Sequence, residues 1–190
     1  MTLYFVTGSM HKFAEAKEFL PEIEQLDLDL AEVQDIDPTL IIKAKLQTAF
    51  NHAQGEFFVE DTGLYFEVLN GMPGPLIKWF LKSLGRKGLY QLAKKMGNTK
   101  AEAKAIIGYA KTKDEVYFFE GTVKGTIVSP RGESDFGWDP IFQPEGFKKT
   151  FAQMSLEEKN SISHRREALL RLKAFLEQER RREAAQALSS

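Results

Sequence analysis

The chain of 190 residues contains no cysteine, has almost no net charge and lacks long apolar runs. The absence of cysteine excludes disulfide bonds, thiolate nucleophiles and cysteine-ligated zinc. The 26 Lys and Arg residues and 27 Asp and Glu residues give a formal net charge of −1, so the charge balance indicates neither a nucleic-acid partner nor a membrane partner. The N-terminus also lacks the apolar stretch of a secretory signal. We therefore expect a cytoplasmic protein.

The length suits one folding unit with a sizeable core, and the unit could be divided into two lobes by a cleft. No internal repeat or low-complexity linker interrupts the sequence. We expect one domain over residues 1–190, in which residues 184–190 form a tail that frays.

Hydrophobic periodicity predicts alternating strands and helices. Short apolar runs predict strands at residues 3–6, 26–30, 57–59 and 64–68, and a hairpin within residues 101–128. Asp37 can cap a helix that begins at Pro38. Helical spacing predicts helices at residues 12–20, 38–53, 76–84, 87–96, 156–160 and 162–183.

The turn at residues 7–12, Thr-Gly-Ser-Met-His-Lys, joins the first strand to the first helix. Free amides at a helix start can bind phosphate, with Gly8 permitting close approach and Lys12 adding positive charge. A Thr-Gly-Ser turn is also typical of a plain helix N-cap. Both interpretations are open at this point.

Asp61 lies in a Glu-Asp-Thr-Gly segment between two predicted strands. A carboxylate at a strand end is a candidate ligand for Mg²⁺, which takes its other ligands from water and phosphate oxygens. The alternative is a turn in which the Asp61 side chain bonds only local amides.

Two islands near the C-terminus combine aromatic and polar residues. Phe136 and Trp138, beside Asp139, could stack on a planar base. Lys159, His164 and Arg165 supply donors that can read keto oxygens on the edge of that base, as in a 6-keto purine. The alternative is that the aromatic residues belong to the core and that the second island caps a C-terminal helix.

These segments together resemble the inosine triphosphate pyrophosphatases, which hydrolyse deaminated purine nucleoside triphosphates. The resemblance extends from Leu3 to about Phe175 and is carried, in chain order, by TGSMHKFAE, VEDTGL, GMPGPLIKWFL, FGWDPIFQPEG, EKN and SHR. It implies an α/β fold of two lobes on a long, mixed, twisted β-sheet, with flanking helices and an active cleft between the lobes. It also implies a homodimer, dependence on Mg²⁺, and hydrolysis of ITP, dITP or XTP to the monophosphate and pyrophosphate, which would cleanse the nucleotide pool.

The resemblance also implies roles for individual residues. The triphosphate would be held by Thr7, Gly8, Ser9, Met10, His11, Lys12, Lys45 and Lys78. Asp61 would be catalytic and would hold the metal with Glu32, while Glu15 would assist the metal and Thr62 would lie close to the ligand. The base would be held by Phe136, Gly137, Trp138, Asp139, Lys159, His164 and Arg165. Lys43 is the alternative to Lys45.

One position departs from the family pattern, because Ser9 stands where the family has Asn. A hydroxyl replaces an amide that can both donate and accept, so one substrate contact is in doubt. Two other functions remain open. One is a non-catalytic purine nucleotide-binding module, in which Ser9 marks a decayed site, and the other is a pyrophosphatase for other modified nucleotides, such as pyrimidine triphosphates.

Overall fold

A computed structural model describes residues 2–28, 30, 33–134 and 137–188. Over these residues the chain forms seven strands, five α-helices and three short 3-10 segments. The strands are β1 (Leu3–Val6), β2 (Glu24–Leu26), β3 (Glu56–Phe66), β4 (Pro73–Gly74), β5 (Lys100–Ala110), β6 (Val116–Ile127) and β7 (Phe142–Pro144). The helices are α1 (Met10–Phe19), α2 (Pro38–His52), α3 (Ile77–Lys95), α4 (Leu156–Ile162) and α5 (His164–Leu188), and the 3-10 segments are Glu67–Leu69, Asp139–Ile141 and Phe151–Gln153.

The strands form one mixed sheet in the order β2-β1-β3-β5-β6-β7, with β4 paired to β3. Strand β1 runs parallel to β2 and β3, and the other pairs are antiparallel. The predicted hairpin is confirmed as β5 and β6, which pair from Lys100 to Ala110. The mixed α/β sheet implied by the resemblance is also confirmed.

Strand β3 differs from the sequence prediction, which was wrong in ending one strand at residue 59 and beginning another at residue 64. Residues 56–66 form one strand that pairs with β5 along its length. Gly63 lies within this strand, and a Cβ atom there would lie 2.8 Å from the Gly74 carbonyl carbon of β4. The glycine therefore allows β4 to approach, which does not require a turn.

The strand predicted at residues 26–30 is also wrong in its position, because β2 covers Glu24–Leu26. Leu28 and Leu30 are partly buried against the hydrophobic cluster under α2. The alternation of leucine with acidic residues therefore reflects the burial of Leu28 and Leu30 after the end of β2.

Helix boundaries agree well with the local signals in the sequence. The Asp37 side chain accepts from the Thr39 amide at the start of α2, and Pro38 is the first residue of that helix. Helix α3 contains a break at Gly85, with φ +67° and ψ 174°, between the two helices predicted there. Helix α5 continues to Leu188, beyond the predicted end at residue 183.

Two hydrophobic clusters share one face of the sheet. Phe58 belongs to the cluster under α1 and α5, whereas Leu64 and Phe66 belong to the cluster under α3. Because side chains alternate along a strand, Glu60 and Thr62 lie on the same face, between the two clusters. A polar band therefore separates them. Helix α2 covers the opposite face and packs on Phe57 and Val59.

Small residues allow the helices to lie close to the sheet. A Cβ atom on Gly108 would come within 2.1 Å of the Ile42 side chain in α2, and one on Gly121 would come within 2.0 Å of the His164 carbonyl oxygen in α5. Such distances leave no room for a methyl group. Gly121 therefore fixes the first turn of α5 against β6.

Within the described part of the chain, no helix combines the length and apolar character that a membrane span needs.

We expect Gly121→Ala to lower the free energy of unfolding by about 2–3 kcal/mol, because the added methyl group would push α5 from the sheet. Urea unfolding followed by circular dichroism measures this change. Lys124→Ala is the matched control, since Lys124 is an exposed residue of the same strand and should change stability by less than about 0.5 kcal/mol. Equal stabilities for the two variants would contradict the close packing of α5 on β6.

Candidate active site

Glu60 is the centre of the polar band on β3. Its Oε1 atom lies 3.1 Å from the Lys12 Nζ atom of α1 and accepts from the Thr62 hydroxyl at 2.5 Å. Arg165 of α5 donates to both carboxylate oxygens, from Nε at 2.8 Å and from Nη2 at 3.1 Å. One carboxylate thus joins two helices to the sheet.

Arg165 lies in this cluster and is 3% exposed. Besides its bonds to Glu60, it donates from Nη1 to the Glu15 Oε2 atom at 2.5 Å. Two carboxylates and two cations, Lys12 and Arg165, therefore balance in charge. Burying a charge is costly unless it is paired and hydrogen-bonded, and this arrangement meets both conditions.

The pKa values in the cluster follow from this pairing. Burial would raise the pKa of Glu60, but Arg165 and Lys12 hold that pKa well below its usual range. Burial would lower the pKa of Arg165, but the charge and hydrogen bonds of Glu60 and Glu15 raise it. Glu60 and Arg165 therefore stay ionised at neutral pH.

Asp61 faces the opposite side of β3, towards α2. Its Oδ1 atom accepts from Lys45 Nζ at 3.1 Å, and the same ammonium group also donates to the Glu60 carbonyl oxygen at 3.3 Å. Lys45 is thus the lysine of α2 that reaches the Asp61 carboxylate, whereas the Lys43 ammonium lies 6.0 Å from the centre of the Phe118 ring. Asp61 Oδ2 is buried and has no hydrogen-bond partner among the described residues.

The turn at residues 7–12 caps α1. The Ser9 hydroxyl accepts from the Lys12 amide at 3.3 Å, and the Ser9 amide donates to the Thr7 hydroxyl at 3.1 Å. The N-cap interpretation is therefore confirmed. Gly8 lies against Asp27, whose Oδ1 atom would be 3.0 Å from a Cβ atom. The other two predicted residues of this turn, Met10 and His11, are exposed.

The turn lies close to the carboxylates because of the strand register. Strand β1 pairs with β3 from Leu3 opposite Glu56 to Phe5 opposite Phe58, and it ends at Val6. Strand β3 continues past this end with Glu60, Asp61 and Thr62. Lys12 and Lys45 approach this extension from opposite faces of the sheet, so the predicted phosphate-binding lysines flank both carboxylates.

A second buried ion pair lies at the C-terminal islands. Lys159 of α4 donates to the Asp139 Oδ2 atom at 2.6 Å, and the Ser134 hydroxyl also lies 3.3 Å from that oxygen. Burial raises the pKa of Asp139, although Lys159 opposes the rise. Asp139 Oδ1 is buried without a hydrogen-bond partner in the described ranges.

His164 lies beside this ion pair and is 2% exposed. Its ring packs between Trp138 and Phe151, with ring centres 5.4 and 6.0 Å away. Burial, together with the charge of Arg165, lowers its pKa well below the usual range, so the ring is neutral. Neither ring nitrogen has a hydrogen-bond partner among the residues that the structure describes.

Trp138 differs from the predicted stacking residue. It is 2% exposed and belongs to the core cluster under α3, where it packs against Phe142 and Phe151. The interpretation of Trp138 as a core aromatic is the one that the structure bears out. Its indole therefore packs against the His164 ring.

The remaining predicted residues are Glu32, Phe136 and Lys78. Glu32 and Phe136 lie outside the described residues. Lys78 is an exposed residue of α3, and its ammonium group lies 5.8 Å from the centre of the Trp79 ring. Among the described residues, no group of three or more His, Asp or Glu side chains is arranged to hold a metal ion.

The sequence interpretation missed the role of Glu60 and the pairing of Asp139 with Lys159. Glu60 was visible only as the residue before Asp61, and its partners Lys12 and Arg165 are distant in sequence. An alternation signal was present, because Phe58, Glu60, Thr62 and Leu64 share one face of a continuous strand. The prediction of two separate strands, at residues 57–59 and 64–68, hid that signal.

Comparisons with known proteins agree on one family. The profile of the Ham1 family matches residues 3–175. The inosine triphosphate pyrophosphatase of Schizosaccharomyces pombe is 42% identical over 183 residues, covering 94% of this chain and 97% of the relative, and that of Yarrowia lipolytica is 44% identical over 182 residues, covering 93% and 96%. The structure of the Staphylococcus aureus Ham1 protein is similar with a TM-score of 0.77 and 29% identity, over 94% of this chain and all of that one.

We expect Glu60→Gln to lower the free energy of unfolding at pH 7 by about 3–5 kcal/mol, because a buried pair loses one of its charges. The depressed pKa of Glu60 means that its contribution is complete above the usual Glu pKa of about 4.3 and is lost as the pH falls through the depressed value. As the pH is lowered, the free energy of unfolding of the variant should therefore decrease less than that of the wild type. Urea unfolding between about pH 7 and pH 3 measures both effects.

Glu157→Gln is the control for this prediction, because Glu157 is an exposed residue of α4. It removes the same charge from the surface and should leave stability within about 0.5 kcal/mol of the wild type. A Glu60 variant as stable as this control would show that the buried pairs contribute little.

Proposed function

This chain belongs to the Ham1 family, and on that basis we propose that it is a nucleoside triphosphate pyrophosphatase acting on ITP, dITP and XTP. Water breaks the bond between the α and β phosphates, which gives the nucleoside monophosphate and pyrophosphate. Removal of deaminated purine nucleotides cleanses the nucleotide pool. We include in the same proposal a cytoplasmic location and a homodimer.

The observation that carries the proposal is the unsatisfied carboxylate oxygen of Asp61. Its Oδ1 atom is bound by Lys45 at 3.1 Å, while Oδ2 is buried and has no partner among the described residues. A buried acceptor without a partner is costly, and it indicates a place for a ligand, a water molecule or a cation. Asp61 is therefore suited to orient the attacking water and accept its proton.

The same oxygen fits a divalent metal ion, as is typical of pyrophosphatases. Carboxylate oxygens are the ligands that Mg²⁺ prefers, and one or two protein carboxylates suffice when phosphate and water supply the rest. Asp61 would hold Mg²⁺, with Glu32 as its proposed second ligand. When bound, the ion would neutralise phosphate charge and favour loss of a proton from water. We place Glu15 outside this shell, because its carboxylate is bound to Arg165.

The triphosphate would be stabilised by lysines from three helices: Lys12, Lys45 and Lys78. Two of them are held in place before substrate binds, because Lys12 is paired with Glu60 and Lys45 with Asp61. Such fixed charges stabilise the negative charge that develops on the leaving pyrophosphate. Ser9 is used as a helix cap, so in our proposal the turn at residues 7–12 contributes backbone amides and Lys12.

Recognition of the base is proposed for Asp139, Lys159 and His164. Each nitrogen of the neutral His164 ring and one oxygen of Asp139 lack a partner in the described residues. A ring N–H of His164 could donate to the 6-keto oxygen of hypoxanthine or xanthine. The 6-amino group of adenine would bring a second donor to the same place, and unpaired buried groups reject such a ligand.

Arg165 has a different place in this proposal from the one that its sequence position suggested. Its donors bind Glu60 and Glu15, so it stabilises the carboxylates behind the site. Arg165→Ala would leave the Glu15 carboxylate without its Arg165 partner and Glu60 with Lys12 alone, and it would change folding as well as specificity. His164 is therefore the more informative residue for testing base recognition.

The proposed reaction is tested with purified protein, ITP and Mg²⁺, with phosphorus products followed by NMR. We expect IMP and pyrophosphate, loss of the reaction with EDTA, and little product from ATP. Asp61→Asn should lower kcat by about 100-fold or more, because the amide cannot accept the proton from water. The control Asp114→Asn alters an exposed loop residue between β5 and β6 and should leave kcat unchanged.

Other outcomes of the same experiment would identify other functions. Tight binding of ITP without products would favour the nucleotide-binding module, and orthophosphate as the first product would contradict attack between the α and β phosphates. Faster hydrolysis of dUTP or dTTP than of ITP would indicate a pyrophosphatase for other nucleotides.

We expect His164→Phe to lower kcat/KM for ITP by about 10- to 100-fold while kcat/KM for ATP changes little. The phenyl ring keeps the packing against Trp138 but removes both ring nitrogens, so the 6-keto oxygen loses a donor. Steady-state kinetics with the two nucleotides measures the ratio. His52→Phe makes the same change at an exposed position of α2 and should not alter it. An unchanged ratio in His164→Phe would exclude His164 from base recognition.

A further inference from the structure

Arg86 lies immediately after the break in α3. Gly85 has φ +67° and ψ 174°, which are not helical values, and glycine adopts this conformation more readily than other residues. The break separates the first half of the helix, which carries Lys78, from a second half that begins with Arg86. The Arg86 side chain is half-buried and contacts the segment that leads to Asp139.

The Arg86 guanidinium group binds two backbone carbonyl groups of that segment. Nε donates to the Gly137 oxygen at 2.7 Å, and Nη2 donates to the Ser134 oxygen at 2.8 Å. The two carbonyl groups belong to residues 51 and 48 positions further along the chain. A planar guanidinium with several donors can bind both at once, whereas a lysine ammonium lacks this fixed fork.

A second contact holds the same segment against the same helix. A Cβ atom on Gly137 would lie 2.8 Å from the Leu81 Cδ1 atom, so the Gly137 backbone packs directly on α3. Leu81 is in the first half of the helix and Arg86 in the second. The segment is therefore fixed to both sides of the break at Gly85.

Ser134 and Gly137 connect Arg86 to Asp139. Ser134, whose carbonyl oxygen accepts from Arg86, also directs its hydroxyl to the Asp139 Oδ2 atom at 3.3 Å. Gly137 is two residues before Asp139, which pairs with Lys159 at 2.6 Å. Arg86 thus determines where the Asp139–Lys159 pair lies relative to α3.

We propose that Arg86 is a positioning residue for nucleotide selection, and that it acts by holding the backbone of Ser134 and Gly137, which precede Asp139, on α3. The assignment rests on the proposed function, in which Asp139 and Lys159 bind the base. Lys78 lies in the first half of α3, and Arg86 begins the second half after the break at Gly85. One broken helix therefore connects a lysine at the triphosphate with the support of the base site.

The test compares Arg86→Ala, Arg86→Lys and the control Lys87→Ala, which changes an exposed neighbour on the same helix. We expect both Arg86 variants to lower kcat/KM for ITP roughly tenfold, because small displacements of binding groups are costly in rate. The value for ATP should change much less, so the ITP/ATP ratio falls. Lysine should not rescue the ratio, since it cannot hold both carbonyl groups. Lys87→Ala should behave as the wild type.

Hydrogen exchange measured by mass spectrometry gives a readout that is independent of turnover. Peptides containing residues 137–139 should exchange faster in both Arg86 variants than in Lys87→Ala, while peptides from β5 exchange as in the wild type. A purely structural role would instead lower thermal stability and reduce activity on ITP and ATP equally. An unchanged ITP/ATP ratio in the Arg86 variants would overturn the assignment, whether or not hydrogen exchange changes.

Failure of the proposed function can be distinguished from failure of this inference. If wild-type protein does not hydrolyse ITP, the proposed function is wrong, and the role of Arg86 in nucleotide selection is overturned with it. If wild-type protein hydrolyses ITP selectively and the Arg86 variants do so with the same selectivity, only the inference about Arg86 is overturned.

Discussion

The structure depends on the neutral balance of charge around the buried carboxylate of Glu60. Two cations from two helices and one hydroxyl from the same strand bind this group. Because an unpaired carboxylate in this position would be costly, α1 and α5 can pack on the sheet only with Lys12 and Arg165 in place. The same contacts hold Lys12 next to the end of β1, so the stability of the core and the placement of a lysine proposed to bind phosphate have one cause.

Close contact between the backbones of α5 and β6 determines where the first turn of α5 lies. Gly121 lets the first turn of α5 rest on β6, and this turn carries both His164 and Arg165. Trp138 fills the space behind His164 and keeps water from its ring. The neutral state of His164, and thereby its suitability as a donor to a keto oxygen, follows from this packing.

The sequence predicted features that depend on neighbouring residues. The cap formed by Asp37 and Pro38, the break at Gly85 and the hairpin of β5 and β6 each follow from local residue types. Contacts between distant segments could not be predicted, such as the bond between Glu60 and Arg165, which are 105 positions apart. The resemblance assigned Lys12, Asp61 and His164 to one site. Only the folded chain shows which of these side chains are paired in buried contacts and which have polar atoms without a partner among the described residues.

The continuity of β3 has a consequence for how tightly the site is specified. Glu60 and Asp61 are chemically similar neighbours, and they differ in role only because an uninterrupted strand turns one towards α5 and the other towards α2. A slip of one residue in pairing with β5 would turn each of them to the other face of the sheet, so that Asp61 would face the side of α5 and Glu60 the side of α2. The ladder from Phe57 opposite Ala110 to Phe66 opposite Ala101 prevents that exchange. An insertion or deletion in β3 before Glu60 would therefore damage catalysis, because Glu60 and Asp61 would each lie on the wrong face of the sheet even if every site residue were retained.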